Sequence, residues 1–334
     1  MPLSDAQRAR RPRAGFEGYR ESRLARAAGR LASPLYLDLG GDHRDAVFLA
    51  GSGRSGTTWL SELVNDRLGY RYVFEPFHPG EVPLARPFGY RRYVRPGDSR
   101  PELLEAARQI LCGHVRGPWT DRFRRRLLAR GRLIKDIRAN LLLGWLANNF
   151  PEMPVIFILR HPCAVALSKV RLGWRARLEE FLAQPELVED FLAPVESQLR
   201  AACDDGVPEF ERHVFAWCVE NAVPLAQLGR DRAFLVFYES LCEAPEEELR
   251  ALFRYLGAEP GDVSPRTLRS PSALSRAGSA VLSGADPVAG WRAELSAGEI
   301  RRAGEILGLF GLDRVYGESP RPDREAARVL GGSA

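Results

Sequence analysis

Lysine is almost missing from this sequence: Lys135 and Lys169 are the only two among 48 basic residues, the rest being arginine. With abundant alanine, glycine and leucine, this is the usage of a GC-rich bacterial genome. It removes the force of most arguments from "arginine rather than lysine" and makes the two remaining lysines conspicuous. Cysteine is scarce too. Cys112, Cys163, Cys203, Cys218 and Cys242 are scattered, odd in number and without a C-x-x-C pair. A disulfide framework and a zinc site are therefore not indicated, and a reducing cytoplasm fits. No apolar run approaches the roughly 20 residues that span a bilayer, and the N-terminus has no apolar signal core. The expectation is a soluble, cytoplasmic protein. There is no internal repeat and no low-complexity tract beyond a run of N-terminal arginines.

The formal net charge is +5, and its location matters more than its size. Residues 1–30 hold eight arginines against Asp5, Glu17 and Glu21, which accounts for the whole surplus. The rest of the chain is balanced, so no nucleic-acid partner is expected. The arm, residues 1–44, reads as partly helical or disordered, with peripheral contact to an anionic surface as its other use.

Short apolar runs predict strands at 46–50, 70–74, 132–136, 155–160 and 233–238. Helical patterns fall at 56–68, about 101–130, 139–149, 162–173, 178–201, 209–229, 245–257 and 297–310. Alternation of the two predicts an α/β fold: three layers, a mostly parallel P-loop-type sheet, one domain over 45–318 with helical insertions, and a tail over 319–334. Ligands of such sheets bind beyond the C-terminal strand ends. That rule gathers the Gly51 loop, Glu75, Lys135, Arg160 and Tyr238 at one rim. Residues 80–100 and 258–290 read as excursions over it, and the helical region 174–230 as a lid or a solvated face.

"FLAGSGRSGTTWLSEL", residues 48–63, has the layout of a phosphate loop. Against G-x-x-x-x-G-K-[ST], Gly51, Gly56 and Thr58 fit, but Thr57 stands where the lysine belongs. Gly51, Gly53 and Gly56 let backbone amides converge on an anion at a helix start, and Thr57 and Thr58 add hydroxyls. The positive charge is Arg54, inside the loop. A nucleoside triphosphatase also needs a strand-end carboxylate for Mg²⁺. The best candidate strand, "VIFILRHP", ends in Arg160 instead, so no metal site is expected. A Mg·ATP kinase is the enzymatic rival reading, and a non-catalytic nucleotide binder the other.

"GSGRSGTTWL" resembles the 5′-phosphosulfate loop of the sulfotransferases that use 3′-phosphoadenosine 5′-phosphosulfate (PAPS). "VIFILRHPCAVALSKV" resembles their second motif, "FLVFYESLCEAPEEELRALFRYLG" their YEDL-type segment with Ser240 in the aspartate's place, and "VAGWRAELSAGEI" their C-terminal closing segment. The resemblance spans residues 46 to about 316. It implies transfer of a sulfuryl group from PAPS to a hydroxyl of a carbohydrate, glycolipid or secondary metabolite, leaving adenosine 3′,5′-bisphosphate (PAP) without a metal. It implies that Ser52, Gly53, Arg54, Ser55, Gly56, Thr57 and Thr58 surround the phosphosulfate, with Trp59 in the core or near the adenine. Arg160 and Ser168 hold the 3′-phosphate. Tyr238 and Trp291 line the nucleotide, with Arg292, Arg269 or Arg276 as a further 3′-phosphate ligand.

Transfer needs a base for the acceptor proton and cations for the bridging oxygen. Cytosolic relatives carry a histidine two residues after a lysine; here Ile137 follows Lys135 at that spacing, so that base is missing. "YVFEPFHP" is similar to the "EP" segment of carbohydrate-type relatives, which implies Glu75 as base. His78, with an ordinary pKa near neutrality, is the alternative and His114 a weaker one. Pro76 predicts an extended backbone at Glu75. Lys135 and Arg54 are expected to steady the transferring group, and Arg138 to meet an anionic oxygen.

Overall fold

The computed structural model describes residues 37–123, 128–229, 232–259 and 286–330. The arginine arm, Arg269, Arg276 and most of the 258–290 excursion lie outside them. Among the described residues a short strand β1 (Leu37–Asp38) is followed by β2 (Ala46–Ala50), α1 (Thr57–Leu68), β3 (Arg71–Phe74) and α2 (Pro101–Leu111). Then come β4 (Leu128–Ala129), β5 (Arg132–Asp136), α3 (Leu143–Asn149), β6 (Val155–Leu159), α4 (Pro162–Arg171) and α5 (Glu209–Leu228). The chain continues through β7 (Phe234–Phe237), α6 (Tyr238–Glu243), α7 (Pro245–Tyr255), α8 (Ala297–Leu309) and α9 (Arg324–Leu330).

Five strands form one parallel sheet in the order β3-β5-β2-β6-β7. Every residue of β2, β3, β5 and β6 is buried, as a sheet covered on both faces requires. Alternate side chains feed two cores. Phe48, Val73, Ile134 and Phe157 pack on one side with α2 to α5 and α8; Leu49, Tyr72, Leu133 and Ile156 pack on the other with α1 and α7. That is the expected three-layer α/β architecture. The chain leaves β2 toward β3 and β5, then crosses to β6 and β7, so β2 is the switch strand and its C-terminal end the predicted ligand position.

Two strands begin on arginines that are fully buried. Arg71 binds Asp121 and the Gly113 carbonyl, and Arg132 binds Asp38 and the Leu111 carbonyl. These bonds pin the sheet's far end and bring β1 alongside β4, so part of the stretch read as an arm is a strand of the fold.

Two helical expectations need correction. The helix from 101 stops at Leu111, not near 130, because Gly113 turns the backbone left-handed (φ 80°). The helix predicted over 178–201 is a chain of short turns broken at Pro185 and Pro194, which lack the N–H a continuous helix needs. The stretch read as a tail contains α9, whose Ala327 is buried in the main core.

Candidate functional site

The phosphate loop joins β2 to α1. Gly56 caps α1 with φ 91°, and a Cβ there would lie 2.5 Å from the Tyr238 ring, so only glycine fits. Thr57 and Thr58 open the helix, both buried, and Trp59 meets Tyr238 edge-on at 5.8 Å. Arg54 has a left-handed backbone (φ 78°), and its Nε donates to Ser168 Oγ at 3.0 Å. Arg160, at the end of β6, donates from Nη1 to the Arg54 carbonyl (3.2 Å) and from Nη2 to the Pro287 carbonyl (3.0 Å), with its guanidinium 4.1 Å from the Tyr238 ring centre. Residues predicted from three separate segments therefore meet at one point.

Trp291 stacks on His161 (4.2 Å, 20°) and is buried. Arg292 is different: it is exposed, and its Nη2 donates to the Glu318 carbonyl. It does not join the Arg54–Arg160–Ser168 group. Ser52 is also turned away, fully buried against α5, where it accepts from Asn221 Nδ2 at 3.0 Å. Among the described residues, Ser55 Oγ, Arg160 Nε and Trp291 Nε1 are buried without a hydrogen-bond partner. Such groups are costly unless a ligand satisfies them, and a hydroxyl, a guanidinium N–H and an indole N–H suit an anionic nucleotide.

Beyond β3, Glu75 is buried and held on both oxygens: Lys135 Nζ donates at 2.6 Å and Arg138 Nη1 closes on the other. Its backbone is not extended as Pro76 predicted, but left-handed (φ 43°). Bonds from Glu75 N to the Lys135 carbonyl (2.7 Å) and from Trp119 Nε1 to the Glu75 carbonyl (3.0 Å) hold that peptide in place. Among the described residues the non-glycine positive φ values fall at Arg54, Glu75 and Arg91, a clustering of strain that marks functional sites. Burial pushes the Glu75 carboxyl upward, but the charges of Lys135 and Arg138 together prevail and hold it at about 2.

His78 sits between Tyr90 (5.4 Å) and Trp119 (4.8 Å). Burial first, and Arg138 second, lower its pKa to about 4. Its Nδ1 accepts the Gly80 N–H at 3.2 Å, which puts the neutral ring's proton on Nε2. The ring then has no free basic nitrogen. His114 is exposed, just past the end of α2.

Sequence reasoning missed Asp136. It ends β5, fully buried, and accepts from Phe77 N (2.8 Å) and Arg138 N (2.7 Å), tying the Glu75 turn to the strand that carries Lys135. The available signal was an acidic residue closing an apolar strand. Burial, then the charge of Glu75, raises its pKa from 3.8 to about 6. A carboxyl with a raised pKa takes up its proton first in the folded state, so its contribution to stability falls as pH rises through that interval. Asp136→Asn removes one of two backbone acceptors and should cost about 1–3 kcal/mol. In urea titrations the gap between wild type and variant should be wider near pH 4 than at pH 7. A pH-independent gap would mean that Asp136 does not titrate in this way.

A model of the Sulfotransferase family matches residues 46–262. Nodulation protein NoeE of Sinorhizobium fredii (strain NBRC 101917 / NGR234) is 25% identical over 314 residues, covering 86% of this chain and 70% of that protein. Among solved structures, the sulfotransferase domain from the curacin biosynthetic pathway aligns with TM-score 0.43 at 14% identity, covering 82% of this chain and 99% of that one. A mouse sulfotransferase complexed with PAP aligns with TM-score 0.41 at 15% identity, covering 93% and 96%.

Proposed function

This chain belongs to the sulfotransferase family, and from that premise we propose that it transfers the sulfuryl group of PAPS to a hydroxyl of a small-molecule or glycan acceptor. The observation that carries the reading is the meeting of Arg54, Ser168 and Arg160 beside a loop whose Ser55 hydroxyl has no partner among the described residues. Bound PAPS supplies an electrophilic sulfur with a nucleotide leaving group. The loop amides, Thr57, Thr58 and Arg54 hold the 5′ end, and Arg160 with Ser168 holds the 3′-phosphate. Glu75 receives the acceptor's hydroxyl proton on a carboxylate oxygen.

A carboxyl held at about 2 is a weak base. Its hold comes from Lys135 and Arg138, the cations that face charge developing on the transferring group. As Lys135 turns its N–H toward that charge, its pull on Glu75 weakens and the carboxylate's proton affinity rises. Proton acceptance and charge stabilisation are thus coupled through one ion pair. A Mg·ATP kinase is less well supported: Glu75 and Asp136, the carboxylates ending β3 and β5, are engaged by cations and by backbone amides respectively.

The test is calorimetric titration with PAP in EDTA, beside ATP with Mg²⁺, on wild type and Ser168→Ala. PAP should bind without metal and better than ATP. Losing one hydrogen bond to a charged group, about 1.5–3 kcal/mol, should weaken PAP by about 10- to 150-fold in the variant. Magnesium-dependent ATP binding with no response to PAP would reopen the kinase reading.

A further inference from the structure

Ser52 lies in the phosphate loop, yet its side chain serves α5. Its hydroxyl accepts from Asn221 Nδ2 at 3.0 Å, and Asn221 follows Glu220 directly on α5. Glu220 is buried, and cations from two segments converge on it. Lys169 Nζ, from α4, lies 3.4 Å from Oε2; Arg91 Nε, from the strap formed by residues 80–100, lies 3.1 Å from Oε1; the loop is held one residue on, by Asn221 on Ser52. Lys169 adjoins Ser168 and is the second of the chain's two lysines. Arg91 has a left-handed backbone (φ 48°), and Gln184 binds its carbonyl at 3.1 Å. The neighbouring Tyr90 packs on His78, beside the Glu75 turn.

Burying this carboxylate with two cations gains little stability over an apolar core, because desolvation consumes most of the attraction. It does enforce a geometry. Glu220 has one arrangement that satisfies Lys169 and Arg91 together while Asn221 beside it holds Ser52, and each of the three lies in a different part of the site. Nearby His213 does not share the charge: burial first and Lys169 second lower its pKa to about 4, so it is neutral. Among the described residues Arg91 also faces the carboxylate of Glu180, at 3.9 Å.

We propose that Glu220 is a positioning residue that joins the strap bearing Arg91 to the phosphate loop through the Asn221–Ser52 bond beside it on α5, so that the two set as one unit. This rests on the PAPS reading. Its consequence is that acceptor contacts on the strap alter donor affinity, although the strap supplies no donor ligand.

The experiment is a double-mutant cycle on PAP affinity by calorimetry in EDTA, using Arg91→Ala, Ser52→Ala and the double variant, with Glu220→Gln and Glu220→Asp alongside. Each single variant should weaken PAP by about tenfold, and the double variant by no more than the weaker-binding single one. Glu220→Gln should match the double variant, and Glu220→Asp should recover part of the loss. Thermal melts report folding separately; if Arg91→Ala does not fold, Arg91→Lys replaces it in the cycle. Losses that multiply in the double variant, with melting temperatures lowered throughout, would make Glu220 merely structural and overturn the inference alone. Failure of the wild-type protein to bind PAP would overturn the donor reading and the inference with it.

Discussion

Glu75→Gln should lower sulfuryl transfer by about 10²–10⁴-fold, the usual contribution of a positioned base, while PAP affinity changes by less than about tenfold. Glutamine keeps an acceptor for Lys135 but presents an N–H₂ group to Arg138, so two buried cations lose their anion. Breaking such a pair typically costs about 3–5 kcal/mol, so the variant should also melt lower. Glu75→Asp separates the two effects. It restores the negative charge, and with it most of the stability, but sets the carboxylate about one methylene short of the acceptor proton. Transfer should stay low in a protein that melts near the wild type. If Glu75→Gln folds, binds PAP and transfers normally, the base lies elsewhere.

The pH dependence has a definite sign. Glu75 is held below its ordinary 4.5, so the stability it contributes is fully present above that value and is lost as pH falls through about 2. With His78 lowered to about 4, neither group changes charge in the ligand-free protein above about pH 5. The kcat/KM profile should therefore show no acid limb from either one near neutrality. A limb near 6.5 would return His78 to consideration.

The predicted strands and the phosphate loop were legible because their signals are local. An all-apolar run of five residues ending at a glycine-rich turn has few other readings, and alternation with helices then dictates a parallel sheet. The pairing of Arg160 with Ser168 came instead from the resemblance of the strand–helix segment to the family's second motif, and both lie beside Arg54. The misreadings arose where distant contacts override a local preference. Pro76 favours an extended neighbour, but the ion pairs and two backbone bonds at Glu75 outweigh it. Asp136 looks like any strand-end acid until the strand order brings Phe77 N beside it. The fate of Arg292 depends on Glu318, a residue 26 positions away, and no periodicity announces that. The lysines behave alike despite their separation. Each sits buried at the rim against a buried glutamate, where a compact ammonium fits.

The second large effect should come from Arg160. Its guanidinium is oriented before any ligand arrives, with one nitrogen on the Arg54 carbonyl, one on the Pro287 carbonyl and its plane against Tyr238. Nε, buried and without a partner among the described residues, is a directed donor. Lysine at this position keeps the charge but cannot form two carbonyl bonds, stack on the ring and donate at once. Arg160→Lys should weaken PAP by about 10- to 150-fold, the worth of one charge-assisted hydrogen bond. Arg160→Ala should lose about 10³-fold, since the charge goes as well. AMP, which lacks the 3′-phosphate, should bind wild type and both variants almost equally. The ratio of PAP to AMP affinity is therefore the decisive quantity, because general loosening of the loop would weaken both ligands together. A ratio that survives Arg160→Ala would move the 3′-phosphate to another cation and leave Arg160 as the clasp between the phosphate loop and the segment at Pro287.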